Sequence, residues 1–228
     1  MDEWWTYGPN DFLLFSPRTY YRLFELHNAA LWPGQVAALA AGIVILIMMT
    51  RPGPWQRPVI GTLLAIVWFA VAWFFFHKRY QTINWAADYA AMAFTIEAIL
   101  LAVWSIVQRP FALPAGWRSH ALIALIVFAL VIQPLIGPLL GRNWRGMEIF
   151  AIAPDPTVTA SLAVIVCVGS RLRWLLMVVP LLWCGVTALT EWTMGSPEFF
   201  VMPMVGLVAI ALAISSPSIR RGSRHLSA

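Results

Sequence analysis

Seven long apolar runs, joined by short connections, constrain this chain more than anything else in it. They cover residues 29–49, 59–76, 86–107, 119–140, 156–170, 174–190 and 199–215. A helix needs about 20 apolar residues to cross a hydrocarbon core. The runs are continuous rather than alternating, which selects helices over strands. The expected fold is therefore all-α: a polytopic membrane helix bundle of about seven transmembrane helices. It divides into an N-terminal arm (1–28), a membrane domain (29–215) and a basic tail (216–228). No connection exceeds 15 residues, which leaves no room for a soluble domain. Composition agrees. Charged residues are 11% and apolar residues 61% of the chain, against roughly 25% charged in soluble domains. A soluble enzyme, a disordered chain and a nucleic-acid-binding module are excluded; the bilayer is the expected partner.

The fifth run is the short one. Its 15 residues rise only about 22 Å as a helix. It is a tilted short helix, a re-entrant segment, or a span that borrows 150–153 across a break. The three-residue link 171–173 makes it an antiparallel hairpin with the sixth run.

Charge placement predicts orientation. With the N-terminus on side one, that side holds Arg18, Arg22, Lys78, Arg79, Arg142 and Arg145, with nine of the ten acids. Side two holds nine arginines (51, 57, 109, 118, 171, 173, 220, 221 and 224) and no acid. Basic residues are retained in the cytoplasm. The reading is a multi-pass protein of the bacterial inner membrane, N-terminus outside and C-terminus inside, touching anionic lipid headgroups at the cytoplasmic face. The N-terminus shows no cleavable signal pattern, so the first run serves as its own insertion signal.

Ser16–Pro17 is a helix-start signature. It is followed by Tyr20, Leu23, Phe24 and His27 at helical spacing. This predicts an interfacial helix on the outer leaflet that turns into the first span near Trp32–Pro33. It is an anchor or, in a sharper reading, a lid over an outer cavity. Trp32, Trp85, Trp117, Trp174 and Trp192 sit near span ends, as belt residues do. Trp68, Trp104 and Trp183 lie deeper and are expected to pack between helices.

Costly polar residues mark candidate sites. Glu97 falls mid-span, where an acid costs roughly 2.5–3.5 kcal/mol on insertion scales. It is a proton or cation site, or a neutral acid hydrogen-bonded across a helix interface. Gln133, followed by Pro134 and Pro138, is a pocket ligand candidate that meets Glu97 if the two helix faces agree, and Pro134 predicts a kink there. Asp155, between Pro154 and Pro156, reads as an N-cap with extended Ala153 before it. It is a loop cap, or a broken-helix site of the kind transporters use. Asn84 and Asp155 are candidate outer-mouth residues. His27 and His77 are candidate metal ligands without a third. Cys167 and Cys184 differ too much in depth for a disulfide and read as packing residues. Gly137-x-x-x-Gly141 matches the small-residue contact pattern, with Pro138 inside it. No cofactor is implied: nucleotide and catalytic motifs are absent, and so is an intramembrane lysine for retinal.

Several short motifs occur in a fixed order: Asn28-Ala-Ala-Leu-Trp-Pro33 with Gln35, then His77, Ile83-Asn84 and Ala86-Ala87, then Gly141, Ala153-Pro154, Pro156-Thr157 and Pro180-Leu-Leu-Trp183. In this order the chain resembles an uncharacterised bacterial family of multi-pass membrane proteins, a domain of unknown function whose members are sometimes labelled transporter permease. The resemblance covers most of the chain and implies membrane location and one domain. In that family the proline pair brackets a cysteine where this chain has Asp155, which weakens a thiol or metal role there. Two functions follow as expectations. One is a small permease or ion-coupled carrier with an intramembrane acid. The other is a non-transporting membrane scaffold, assembly or envelope-stress partner. No catalytic constellation is visible.

Overall fold

The computed structural model describes residues 15–107, 111–169 and 171–215. Arg109, Arg220, Arg221, Arg224, His225, Ser170 and the tail lie outside the described residues, as does the first half of the arm. Among the described residues the fold is all-α, with one isolated bridge between Phe111 and Val168.

Helix α1 (Pro17–Leu31) starts where the sequence places it. Ser16 is extended, its hydroxyl accepts from the Thr19 amide at 3.2 Å, and Pro17 occupies the first turn. Its buried face is Tyr20, Leu23, Phe24 and His27. That face packs on protein, in an aromatic cluster with Phe75 and Tyr80. The chain then bends by 92° into α2 (Gly34–Thr50).

Helix α3 (Gln56–Ala70) continues as a π-helical stretch, Val71–His77. The wider register turns Phe75 and Phe76 inward together while Trp73 and Phe74 stay outside. Helix α4 (Ala87–Ile106) packs along α3. Helices α5 (Trp117–Val127) and α6 (Gln133–Leu139) form one rod through a π-helical turn, Phe128–Ile132. The turn sits just before Pro134, whose missing N–H frees a carbonyl one turn earlier. Where the sequence predicts a kink at Gln133, the structure has a π-helical turn within one continuous rod.

The expected 156–170 span takes a different form. Helix α7 runs Pro154–Ile165, and every one of its 12 residues is buried. It rises about 18 Å, well short of a hydrocarbon core about 30 Å thick. The N-cap is Ala153, extended as its position before a proline requires, and Asp155 lies in the first turn without capping it. Pro154 itself opens the helix, because a proline at the first position gives up an N–H that would have no partner there. Thr157 ties the entry down: it accepts from the Ala151 amide at 2.8 Å and donates to the Ala153 carbonyl at 2.7 Å. Ser161 accepts from the Trp68 indole at 2.8 Å. Helix α8 (Leu172–Thr193) packs on α7, and α9 (Val201–Ser215) packs on both.

By length and composition, four helical rods can cross a membrane: 56–82, 87–106, 117–139 and 172–193. The bent pair α1–α2 makes a fifth candidate, and α9 is a shorter apolar helix. Their outer faces carry exposed Ile43, Ile66, Ile99, Leu182 and Leu207. The predicted belt tryptophans 32, 85, 117, 174 and 192 are exposed, and Trp68, Trp104 and Trp183 are buried. Cys167 and Cys184 are free and buried.

Candidate functional site

One end of the bundle gathers the end of α6, the start of α7, the last two turns of α8 and the loop into α9. Four acids meet there: Glu148, Asp155, Glu191 and Glu198. With Gln133, Met202 and Arg142 they line a small cavity of about 20 Å³. That is room for about one water.

Asp155 is held from α8. Its Oδ1 accepts from the Trp183 indole Nε1 at 2.7 Å and from the Thr187 hydroxyl at 3.0 Å. Glu191 follows one turn after Thr187 on the same buried stripe of α8. Arg142 faces Glu198 at 2.8 Å and Glu148 at 3.7 Å. Four carboxyls thus surround one guanidinium, and Asp155, Glu191 and Glu198 are each more than nine-tenths buried. Burial first, and the nearby Asp155 second, push the Glu148 carboxyl up to about 8, with Arg142 opposing them. Gln133 is 7% exposed; its amide N–H faces Met202 Sδ at 3.4 Å, and its Oε1 has no hydrogen-bond partner among the described residues.

The seat of Arg142 is built from glycine. A Cβ on Gly137 would sit 2.7 Å from Arg142 Nε and 2.9 Å from Cζ. The other face of the guanidinium lies over the Tyr21 ring at 4.3 Å, a favourable cation–aromatic contact. Gly141, with φ 88°, turns the chain so that Arg142 folds back. The small-residue pattern here serves a side chain of its own chain. Gly137→Ala is expected to displace the guanidinium and to cost about 1–3 kcal/mol as an overpacking change. Thermal unfolding in detergent measures it; an unchanged midpoint would show the seat to be loose.

Helix α1 crosses this end. Its Tyr21 hydroxyl hydrogen-bonds Ser196, and Asn28 Nδ2 donates to the Arg145 and Met147 carbonyls at 2.8 Å.

Of the sequence candidates, Gln133 and Asp155 share the cavity. Glu97 lines it nowhere: it is fully buried in α4, and neither carboxylate oxygen has a hydrogen-bond partner among the described residues. Asn84 serves its own turn, accepting from the Ala86 amide at 2.9 Å and donating to Tyr80 Oη at 3.3 Å. His27 faces the Ile152 carbonyl at 3.2 Å, and His77 faces Asp88 at 3.2 Å. Among the described residues no three His, Cys, Asp or Glu side chains are placed to share an ion. Glu148, Glu191, Glu198 and Arg142 are functional candidates that only the structure brings forward, since each lies in or beside a connection. A signal was present in α8, where Trp183, Thr187 and Glu191 recur every four residues and share one face.

A family model, described as a family of unknown function (DUF6064), matches residues 18–223. The chain belongs to this family. The match to DUF6064 takes in every residue that lines the cavity, from Gln133 to Met202, and Tyr21 on α1 against Arg142. No curated protein and no solved structure matches the chain.

Proposed function

We propose that this DUF6064 protein is an integral membrane carrier whose coupling ion is a proton, held at the Asp155 cavity. The observation that carries the reading is the excess of buried carboxyls over guanidinium around a space of one water. Leaving all four ionised beside one cation is costly in a poorly solvated site, so protons are the natural counter-charge. The carboxyls ring the cavity without converging on one point, which favours a proton over a chelated cation. The orphaned Gln133 Oε1 supplies an acceptor for a water that passes the proton between acids.

The same reading sets the protein in the bacterial inner membrane with the α1 end outward. Every described acid except Glu97 belongs to that end. The other end carries Arg51, Arg57, Arg118, Arg171 and Arg173, as a cytoplasmic face does. Seven passes follow if α7 and the turn after it count as one: Asp155 meets Trp183 and Thr187 in the middle and second half of α8, while Val166 meets Arg173 at its start. A half-helix starting inside the bundle is a construction transporters use for ion sites. In this frame Glu97 is a second intramembrane acid on the pathway, and Asn84 stands at the outer mouth.

Proteoliposomes with a trapped pH dye test the proposal. Under an imposed membrane potential, the parent is expected to admit protons faster than empty liposomes. Asp155→Asn keeps an oxygen acceptor for Trp183 and Thr187 but removes the titrating proton, and is expected to fall to the empty-liposome rate. Equal rates for parent and variant would remove the carrier reading and leave the scaffold reading.

A further inference from the structure

A second, larger cavity opens at the same end, on the other side of Arg142. Its volume is about 850 Å³, and its walls come from α1, residues 79–83 and residues 142–143. Four guanidinium-bearing residues line it: Arg18, Arg22, Arg79 and Arg142. The one acid in the wall is Glu25, and Arg22 already pairs with it. Arg142 is turned inward to Glu198 and Glu148. Arg18 and Arg79 have no ion pair among the described residues. Asn143 accepts from the Arg145 amide through Oδ1 at 3.0 Å, and its Nδ2 takes part in no bond within the described residues, so it is a spare donor beside them. Two unpaired guanidinium forks and an amide N–H, with no free acid opposite, are a donor set for a multi-oxygen anion.

We propose that this vestibule binds a phosphate group, and that its occupant is the headgroup phosphate of an anionic phospholipid. The placement of α1 favours the lipid source. Leu26 belongs to the vestibule wall and is exposed, as is Trp32 at the end of the same helix. Trp85, Trp144 and Trp192 are exposed at this end of the bundle, where aromatic rings mark the headgroup layer. An acyl chain can lie beside Leu26 while the phosphate reaches Arg18 and Arg79. The site stands apart from the carboxylate cavity, since its donors are other side chains and its readout is binding, not flux.

The test uses the full-length protein in nanodiscs of phosphatidylcholine with a minor share of phosphatidylglycerol. Lipid retained after delipidating washes is weighed by native mass spectrometry, and inorganic phosphate binding to the protein in neutral detergent is measured by calorimetry. The parent is expected to retain phosphatidylglycerol over phosphatidylcholine. The double variant R18Q/R79Q is expected to weaken that retention roughly thirtyfold, the product expected for two basic side chains beside an anionic surface. If R18Q/R79Q fails to fold, the parent alone decides through salt: raising sodium chloride from about 0.05 to about 0.5 M should strip the lipid. Phosphate binding without phosphatidylglycerol preference would uphold the site and assign it to a soluble phosphoester. Salt-insensitive retention, equal in parent and R18Q/R79Q, with no phosphate binding, overturns the proposal.

Discussion

Asp155→Ala is expected to destabilise the protein by roughly 3 kcal/mol, and Asp155→Asn by much less. The difference lies in what each leaves behind. Oδ1 of Asp155 accepts two hydrogen bonds, from Trp183 Nε1 and Thr187 Oγ1, both between buried residues of α7 and α8. Alanine orphans both donors, and an unsatisfied buried polar group costs about 1–3 kcal/mol. Asparagine presents an oxygen at the same place and keeps both. The bonds matter because α7 is buried on every side and its first residues set the level of the cavity. Unfolding midpoints of the three proteins in one detergent are the check. If alanine and asparagine variants unfold together, these two bonds do not hold α7 to α8. The asparagine variant also separates stability from chemistry, since it keeps the architecture and loses the titratable group.

The same position shows where the sequence is legible and where it is not. Helical class, the α1 buried face, the turn at Trp32–Pro33 and the sorting of tryptophans follow from local pattern, because lipid-facing and protein-facing residues obey the 3.6-residue period. The Pro154-Asp155-Pro156 start announces a broken segment, but not the residue that caps it. Two prolines compete to open the helix, and which one wins depends on the fold of 149–153, where Ala151 adopts a positive φ. The charge cluster is hidden for another reason. Arg142, Glu148, Glu191 and Glu198 each sit in or beside a connection, and a charge there reads as solvated. What buries them is α1, which comes from more than a hundred residues away and closes over them through Tyr21 and Asn28. Glu97 shows the converse. Its depth is legible from the run around it; that its carboxyl has no hydrogen-bond partner among the described residues is visible only in three dimensions.

Arg142→Ala is expected to steepen the decline of stability with rising pH. The sign follows from Glu148. Burial and the neighbouring carboxylates raise its carboxyl above the ordinary range, so the folded chain holds a proton that the unfolded chain has released. Stability from such a group is full below the ordinary carboxylate value and declines as pH rises through the raised one. Arg142 opposes the rise at Glu148. Without it, four carboxyls share a small cavity with no cation, and the decline reaches further into alkaline pH. At about pH 5 Glu148 is largely protonated, and the variant should trail the parent chiefly by its lost packing against Tyr21. At about pH 9 the added deficit should approach 3–5 kcal/mol, the usual cost of stripping one partner from a buried ion pair. Unfolding midpoints of both proteins across this range give two slopes. Parallel slopes would mean that Glu148 and Glu198 reach water without Arg142. A deficit that widens with pH would mean that this guanidinium is what lets the cavity hold its negative charge.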